Sequence, residues 1–478
     1  MSLIDSQNLI NIYSQARRSR DARFDGVFFT AVKTTQIYCR SICPATPPLE
    51  KNVAYYDSAI SAANAGFRPC LRCRPDSAPD SHAWKGTETT FHRALGLIHA
   101  GALQSDSIEA LADRLGISAR YLRRLFQQKL GVSPKHYAIY RQCLFAKQLL
   151  HDTQLPIIEI AFAAGFSSVR QFNTAIKNRL KLTPTEIRKN YLKECQVTMN
   201  VIKLTLFFRP PYAWHQMLDF LAVRIIPGLE WVEKNRYGRL FELEQAKGYF
   251  TIGLGKKPNS MDVEIMITDS VQLFQVVQTI RAIFDLDASI QAIDEQLQGC
   301  YGDTLVYLPG LRLPGIWNAF EAGVRAILGQ QVSVKQAHSL VTLLVENLGE
   351  PIGFPQKNAQ YFFPSPEKVS QSELNFFRMP QARKDTLRRF AKYMIDNVDA
   401  GKSSENIDKW LSLKGIGPWT VNYVKLRAAK DPDVWLSGDA GIKNALKAIK
   451  RKFPDREMDI DAASPWRSYL VFHLWNQL

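Results

Sequence analysis

Residues 38–43 read Tyr-Cys-Arg-Ser-Ile-Cys, and residues 68–73 read Arg-Pro-Cys-Leu-Arg-Cys. The two stretches contain Cys39, Cys43, Cys70 and Cys73, which form a C-x3-C pair and a C-x2-C pair. Each spacing fits the two ends of a tight turn, and two such turns can close a tetrahedral Zn2+ site of four thiolates. The pattern therefore predicts that the N-terminal part of the chain folds around one zinc ion. The spacing alone leaves open whether this zinc is purely structural.

Basic and hydroxyl side chains surround these cysteines. Thr34 and Arg40 flank the first pair, and Arg68 and Arg72 flank the second. Four thiolates on one Zn2+ leave two negative charges in excess, which nearby arginines would offset. Guanidinium groups also bind phosphate. We therefore predict that this region contacts DNA as well as metal.

The 478 residues carry a net charge of +16, which is unevenly distributed. Residues 1–200 hold 27 Lys and Arg against 15 Asp and Glu, a difference of +12; the remainder holds 34 against 30, a difference of +4. This bias favours nucleic acid as the partner, although an ordinary basic surface is the alternative. No run of about 20 apolar residues occurs, and the start of the chain lacks a signal-peptide pattern. We expect a cytoplasmic protein without a membrane span.

The hydrophobic patterns predict a multidomain protein that is mainly α, with smaller α+β parts. A zinc-bound α/β domain is expected at 1–77, followed by a polar linker from Asp76 to Gly86. A helical domain is expected at 86–192, where Phe91, Leu95 and Ile98 share one helix face. Alternating segments such as Val201–Phe208 predict a mixed α/β domain at 200–287, and helices dominate 288–478.

The domain at 86–192 contains two similar helix-turn-helix patterns. Each has an apolar helix, a glycine that permits a left-handed turn (Gly116 or Gly165) and a serine cap (Ser118 or Ser167). A basic or polar helix follows, and these two helices are predicted to read DNA in successive major grooves. A generic pair of helices remains the alternative for either copy alone. The DNA-facing residues would be Arg120, Arg123, Arg124, Arg170 and Gln171.

Residues 28–43 and 65–75 resemble the metal-binding domain of the Ada adaptive-response proteins, and the paired helix-turn-helix resembles the AraC-type domain that follows it there. The resemblance implies that Cys39 is a zinc-bound thiolate that accepts a methyl group from a DNA methylphosphotriester. Arg40, Arg68 and Arg72 would hold neighbouring phosphates. Loss of one negative charge on methylation would tighten DNA binding. The Pro-Cys-His-Arg motif of the second Ada methyltransferase site is absent, so repair of O6-alkylguanine is not expected.

A second motif lies at Leu413-Lys-Gly-Ile-Gly-Pro-Trp-Thr-Val. It is typical of a helix-hairpin-helix, in which Gly415 and Gly417 let backbone N–H groups approach a DNA phosphate at a helix N-terminus. Asp439 follows in a loop before a further helix. A Gly-x-Gly turn alone is weak evidence, and Asp439 as a simple helix cap remains open.

Residues 203–478 resemble the helix-hairpin-helix DNA glycosylases, specifically the AlkA-type 3-methyladenine glycosylase II. The resemblance implies that Asp439 is the catalytic carboxylate, which stabilises the oxocarbenium charge on the deoxyribose. It also implies a base pocket of Phe220, Trp419, Tyr423 and Trp475, although each aromatic residue alone is more often plain core. A monovalent cation at the hairpin is a further implication.

Five positions refine the predicted activity. Trp419 occupies the place where bifunctional relatives have a Schiff-base lysine, so we expect a monofunctional enzyme without a lyase step. Gln331 stands where the family often has an apolar wedge that fills the gap left by the flipped base. The small residues Ala440 and Gly441, with Asn476, suggest a roomier pocket and a shifted substrate preference.

Together these features predict a bacterial, nucleoid-associated alkylation-repair protein. It would excise bases such as 3-methyladenine and 7-methylguanine, accept methyl groups on Cys39 and activate transcription. Alkylated DNA, promoter DNA and RNA polymerase are the expected partners of a monomer. One alternative is a transcription regulator whose glycosylase half only binds DNA. Another is a repair enzyme whose helix-turn-helix pair binds DNA without regulating genes.

Overall fold

The chain is described from a computed structural model, and it divides into two compact units. Unit 1 comprises residues 1–210, 255–281 and 286–289, and unit 2 comprises residues 211–254, 282–285 and 290–478. The predicted linker at Asp76–Gly86 lies outside the described residues. The structure describes residues 4, 6–21, 24, 26–73, 75, 89–99, 101–189, 201–244, 246–305, 307–397, 407–454, 456 and 458–477.

Unit 1 begins with a small four-stranded sheet. The strands have the order β3-β1-β2-β4, in which β2 pairs antiparallel with β1 and parallel with β4. This register places Cys39 in β2, close to Cys70, which directly follows β4. Ser58 caps the helix Ala59–Asn64 by accepting from the backbone N–H of Ser61. The elements are α1 (Gln7–Ser19), β1 (Phe29–Val32), β2 (Ile37–Arg40), β3 (Val53–Tyr56), α2 (Ala59–Asn64) and β4 (Arg68–Pro69).

The helical part of unit 1 contains both predicted helix-turn-helix copies. Gly116 and Gly165 have φ angles of 68° and 82°, the left-handed turn that the sequence predicted. Phe91, Leu95 and Ile98 are buried in one core, as expected. The helices are α3 (Thr89–His99), α4 (Ala102–Ser105), α5 (Ile108–Arg114), α6 (Ala119–Leu130), α7 (Pro134–Asp152), α8 (Ile157–Ala163), α9 (Val169–Leu180) and α10 (Pro184–Lys189).

One predicted helix cap is wrong. Ser118 caps α6 by accepting from the backbone N–H of Tyr121, as expected. At the second copy the cap is Ser168, whose hydroxyl accepts from the backbone N–H of Gln171. Ser167 instead donates to the side chain of Gln171. Two adjacent serines offer the same chemistry, and the backbone register, which the sequence does not reveal, decides which one caps.

The mixed α/β segment contributes to both units. The strand pair β5–β9 belongs to unit 1, where Gln148 of α7 donates to the carbonyl of Thr205 and Phe145 packs edge-on against Phe274. The antiparallel strands β6, β7 and β8 belong to unit 2. The elements are β5 (Val201–Phe207), α11 (Trp214–Ala222), β6 (Glu230–Glu233), β7 (Arg236–Leu243), β8 (Ala246–Leu254), β9 (Ser260–Ile267) and α12 (Leu273–Ile283).

The rest of unit 2 is helical. Helix α14 is apolar around most of its circumference, so it lies at the centre of the core, with Ala322, Val324 and Ile327 fully buried. The element before the glycine hairpin is a 3-10 helix, Ile407–Ser412, and an α-helix follows it. The helices are α13 (Ile290–Tyr301), α14 (Ala319–Leu328), α15 (Val334–Leu348), α16 (Pro366–Gln371), α17 (Gln381–Asn397), α18 (Pro418–Arg427), α19 (Ala440–Lys452) and α20 (Arg467–Trp475).

The fold class is the predicted one: a multidomain, mainly helical chain with smaller sheets. Among the described residues, no helix combines the length and apolar character needed to cross a bilayer.

Candidate functional sites

The four predicted cysteine ligands converge in unit 1. The Sγ atoms of Cys39, Cys43, Cys70 and Cys73 all lie within 4.8 Å of one another. Zn–S bonds of about 2.3 Å in a tetrahedron separate the sulfurs by roughly 3.8 Å, so this cluster fits one zinc ion. No oxygen or nitrogen ligand is needed to complete the coordination shell.

The four sulfurs have different surroundings. Cys70 and Cys73 are buried, with exposed fractions of 6% and 8%, whereas Cys39 and Cys43 are half-buried. Backbone N–H groups of Arg40, Ala45 and Cys73 serve the sulfurs of Cys73, Cys43 and Cys70 respectively. Such donors draw charge away from a thiolate. Among the described residues, these backbone donors serve the other three sulfurs and not that of Cys39.

The residues predicted to hold phosphate around the cysteines do not all reach the surface. Thr34 and Arg72 are exposed, and Arg68 is half-buried. Arg40 is only 2% exposed: its Nη1 donates to the carbonyl of Cys73 at 3.3 Å, and its guanidinium lies 4.8 Å from the ring centre of Phe207. Because the β2 register turns Arg40 inward, the predicted phosphate contact of Arg40 is not available in this conformation.

The residue before Cys39 also faces inward. Tyr38 is fully buried, and its hydroxyl lies 2.5 Å from the hydroxyl of Tyr140 in α7. The two neighbours of Cys39 in the chain therefore contact different parts of unit 1. Tyr38 reaches the helix-turn-helix part, and Arg40 reaches β5.

The predicted DNA-reading residues lie on the second helix of each helix-turn-helix. Arg120, Arg123 and Arg124 are exposed on α6, and Arg170 and Gln171 are exposed on the first turn of α9. Arg123 also forms an exposed ion pair with Glu109 at 2.7 Å. Both helices thus present a polar, basic face to solvent.

In unit 2, Asp439 is both a helix cap and the centre of a hydrogen-bonded group. Its Oδ1 accepts from the backbone N–H of Ile442 at 3.0 Å, which caps α19. The same oxygen accepts from the indole N–H of Trp475 at 2.9 Å, and Oδ2 accepts from the indole N–H of Trp419 at 3.2 Å. Two indoles and a helix N-terminus thus fix the orientation of this half-buried carboxylate.

Asp439 lines a cavity of about 1010 Å³, large enough for a purine base. Trp419 and Tyr423 stack with ring centres 5.3 Å apart, and both line the cavity with Trp475. Phe220, the fourth predicted pocket residue, lies behind Trp475, with their stacked ring centres 6.2 Å apart. The structure therefore brings the predicted aromatic residues together, with Phe220 as support for the wall.

The two hairpin glycines have different local conformations. Gly415 has a φ of 95°, and a Cβ there would overlap the hydroxyl of Thr386. Gly417 caps α18 with a φ of −110° and has open space around it.

Gln331, the residue predicted to fill the gap left by the flipped base, is exposed just beyond α14. Its φ of 55° places it in a tight turn.

Sequence reasoning missed the arginines of the cavity. Arg224, Arg325 and Arg427 line it, and Arg325 belongs to a buried ion-pair network with Glu230, Arg239 and Glu321. Arg427 follows Tyr423 by one helical turn, and this spacing could have indicated that Arg427 lies near the same cavity. Arg224 follows Phe220 by four residues and lies just beyond the end of α11.

Sequence comparisons agree with this arrangement. The profile described as the metal binding domain of Ada matches residues 13–76, a helix-turn-helix domain profile matches residues 111–190, and the AlkA N-terminal domain profile matches residues 203–318. The fold and sites therefore define a DNA repair protein that joins an Ada-type zinc centre, a helix-turn-helix part and an AlkA-type part.

Relatives extend the match over the whole chain. A Mycobacterium tuberculosis protein described as a bifunctional transcriptional activator/DNA repair enzyme, AlkA, is 34% identical over 97% of this chain and 95% of its own length. Escherichia coli DNA-3-methyladenine glycosylase 2 is 30% identical over 57% of this chain and 96% of its length. The Escherichia coli enzyme Ada is 39% identical over 25% of this chain and 33% of its length. The chain belongs to the family of bifunctional transcriptional activator/DNA repair enzymes.

Proposed function

We propose that the chain repairs alkylated DNA by two reactions and reports the damage to promoters. Unit 2 excises alkylated bases hydrolytically, and the cysteine cluster of unit 1 accepts methyl groups from DNA methylphosphotriesters. The observation that carries the first assignment is the Asp439 carboxylate, held by two indole N–H groups in an aromatic-lined cavity that is large enough for a purine base. The convergence of four cysteine sulfurs carries the second.

Base excision requires charge stabilisation more than proton transfer. The bond from the sugar to a cationic 3-methyladenine or 7-methylguanine breaks readily, and positive charge develops on the deoxyribose. The carboxylate of Asp439 stabilises this charge and orients the attacking water. Trp419 and Tyr423 stack on the flipped base, and Gln331 enters the gap in the duplex. Because Trp419 stands where a lyase needs an amine, the reaction ends at an abasic site.

Methyl transfer uses the distinct environment of Cys39. A bound Zn2+ keeps its thiolate ligands deprotonated at neutral pH. The Cys39 sulfur attacks the methyl carbon of the phosphotriester, an S–C bond forms, the C–O bond breaks, and a phosphodiester anion leaves. The thiolate becomes a neutral thioether, so the site loses one negative charge and repels DNA less. Each Cys39 accepts one methyl group, because the thioether that forms is no longer a nucleophilic thiolate.

Several finer assignments belong to this proposal. Arg68, Arg72 and Thr34 bind the phosphates near Cys39, and the exposed residues of α6 and α9 read the promoter. Transcription activation then involves contact between a monomer and RNA polymerase. Gly415 and Gly417 bind a phosphate of the damaged strand, with a monovalent cation at the hairpin carbonyls. The parts correspond to 1–77, 86–192, 200–287 and 288–478.

One experiment tests both reactions. The zinc-loaded full chain is incubated with DNA that carries labelled methyl groups, and label is counted separately on protein and on released bases. We expect released 3-methyladenine and 7-methylguanine to grow with time, and label on protein to plateau at one methyl group per chain. Released bases without a protein plateau would contradict the methyl-acceptor assignment. A protein plateau without released bases would favour a regulator whose second unit only binds DNA.

A further inference from the structure

The base cavity has a positively charged wall that aromatic stacking of a cationic base does not require. Arg224, Arg325 and Arg427 line the cavity, and Asp439 is the carboxylate among the lining residues. Arg325 is neutralised, since its Nη2 lies 2.9 Å from Glu230 and 2.7 Å from Glu321. Arg224 and Arg427 form no ion pair with a carboxylate of the described residues. Two guanidinium groups without an ion-pair partner among the described residues therefore line the same cavity as Asp439.

The positive charges of these two arginines repel each other. Burial and, to a smaller extent, the nearby charge of Arg427 lower the pKa of Arg224 to about 10. Burial likewise lowers the pKa of Arg427, which is 3% exposed. Both groups remain cationic at neutral pH. The wall consequently opposes any further positive charge that enters the cavity.

The hydrogen bonds of the two arginines differ. Two nitrogen atoms of Arg427 already donate hydrogen bonds within the protein. Its Nε donates to the carbonyl of Pro314 at 2.7 Å, and its Nη1 donates to the hydroxyl of Tyr423 at 3.1 Å. Arg224 uses Nη1 to donate to the carbonyl of Phe220 at 2.9 Å, and its guanidinium lies 3.8 Å from the Phe220 ring centre. Its Nε and Nη2 donate to no acceptor in the described ranges. Arg224 is thus held in place with donors to spare.

We propose that Arg224 is a specificity-determining residue of base excision: its free N–H groups donate to an exocyclic carbonyl oxygen of the flipped base. This inference rests on the proposed glycosylase function and names the chemistry that the site selects. A carbonyl oxygen accepts from a guanidinium, whereas an exocyclic amino group does not. Among carbonyl-bearing bases, a neutral base avoids the repulsion that a cationic base meets at this wall.

Three purines separate the effect of the hydrogen bond from the effect of charge repulsion. Hypoxanthine is neutral and has a carbonyl oxygen, 7-methylguanine is cationic and has one, and 3-methyladenine is cationic with an amino group instead. Removal of the Arg224 guanidinium takes a hydrogen bond from the first two and relieves repulsion for the last two. The effect should therefore be largest for hypoxanthine, intermediate for 7-methylguanine, and absent or opposite for 3-methyladenine.

The test compares single-turnover excision of the three bases by the full chain and by Arg224→Met, which keeps an unbranched apolar side chain but removes the guanidinium. We expect the ratio of hypoxanthine to 3-methyladenine excision to fall roughly tenfold or more, as for loss of a hydrogen bond to a charged group. Arg224→Lys, which keeps a charged donor, should recover part of this ratio. Arg378→Met removes an exposed arginine of unit 2 and should leave the ratio unchanged.

The outcomes distinguish this inference from the function on which it rests. Equal losses for all three bases in Arg224→Met would mean that Arg224 only supports Phe220, and the specificity role would be wrong. An unchanged ratio in a folded variant, verified by its thermal unfolding, would also overturn it. Failure of the unsubstituted chain to excise any of the three bases would contradict the glycosylase function itself.

Discussion

At the scale of single residues, the position of Asp439 is compatible with both roles that the sequence presented as alternatives. Its Oδ1 caps α19, and the same oxygen accepts from Trp475. The helix N-terminus and both indole donors stabilise a carboxylate at this position. Capping therefore positions the group that faces the cavity, and the two interpretations are compatible.

Replacement of Asp439 separates these roles. Asp439→Asn keeps a side-chain oxygen that caps α19 but replaces the oxygen that accepts from Trp419, so stability should fall by only about 1–2 kcal/mol. The negative charge is lost, so release of 3-methyladenine should fall by roughly 10²- to 10³-fold. Excision rates and urea unfolding measure the two effects.

Asp269 provides a matched control, because it also caps a short helix by accepting from a backbone N–H, that of Val271, and lies in unit 1. Asp269→Asn should leave excision unchanged. Equal excision by Asp439→Asn and the unsubstituted chain would show that Asp439 is a cap and nothing more.

His473 makes the stability of unit 2 sensitive to acid. It is 1% exposed in α20, stacks on Tyr307, and burial lowers its pKa from 6.5 to about 4. Between these values the unfolded chain binds a proton that the folded chain excludes. The neutral His473 side chain thus contributes on the order of 3 kcal/mol to the free energy of unfolding. This contribution is complete above pH 6.5 and is lost as the pH falls towards 4.

His473→Phe keeps the ring stack and removes the titration. The difference in unfolding free energy between pH 7 and pH 4.5 should therefore shrink in this variant. Tryptophan fluorescence suits the measurement, since eight of the nine tryptophans lie between residues 214 and 475. An identical pH dependence in both proteins would assign the acid sensitivity to other groups.

At the scale of elements, the glycine hairpin is well predicted from sequence but its parts are not equivalent. The Gly-x-Gly pattern located the turn before α18. The sequence did not reveal that a 3-10 helix precedes it, or that Gly415 alone needs a left-handed backbone. Contact with Thr386 of α17 creates this difference, and such tertiary contacts are not encoded in local spacing. The Ser167 and Ser168 caps illustrate the same limit.

Substitution of the two glycines should therefore affect different properties, stability for Gly415 and DNA binding for Gly417. Gly415→Ala should lower the free energy of unfolding by about 1–3 kcal/mol, because its φ is unfavourable for alanine and a Cβ would overlap Thr386. Gly417→Ala should leave stability nearly unchanged, yet weaken binding to damaged duplex, because its methyl group lies where a phosphate would approach. Chemical unfolding and duplex binding measure the pair. Strong destabilisation by Gly417→Ala would contradict this distinction.

At the scale of the whole molecule, the motifs located both sites, whereas the compact units follow other boundaries. Cysteine spacing, the paired helix-turn-helix and the glycosylase motif predicted which residues would meet. Arg224 and the buried Glu230–Arg325 network were not predicted, since they combine segments that are distant in the chain and carry no local motif. The inward direction of Arg40 was also missed, because alternation along a short strand depends on its register.

Zinc removal should affect the two activities differently. The described hydrophobic core beside the cysteines holds few buried residues, so this part of unit 1 depends on metal for its stability. Chelation should abolish methyl acceptance by Cys39, while excision of 3-methyladenine falls by less than about twofold, because the cavity is built from unit 2. Labelled DNA and zinc analysis of the treated protein measure this difference. A parallel loss of both activities would indicate that the cavity depends on the zinc site.

The contact between Arg40 and Phe207 has a consequence for how such a fusion is inherited. Phe207 lies in the AlkA-type match, yet its ring packs against Arg40, which directly follows Cys39. Phe274 depends in the same way on Phe145 of α7. A gene split at residue 200 would uncover aromatic surface on both products and loosen Arg40. Recombination that separates these segments should therefore yield two less stable products, and this would disfavour it even where each active site stays intact.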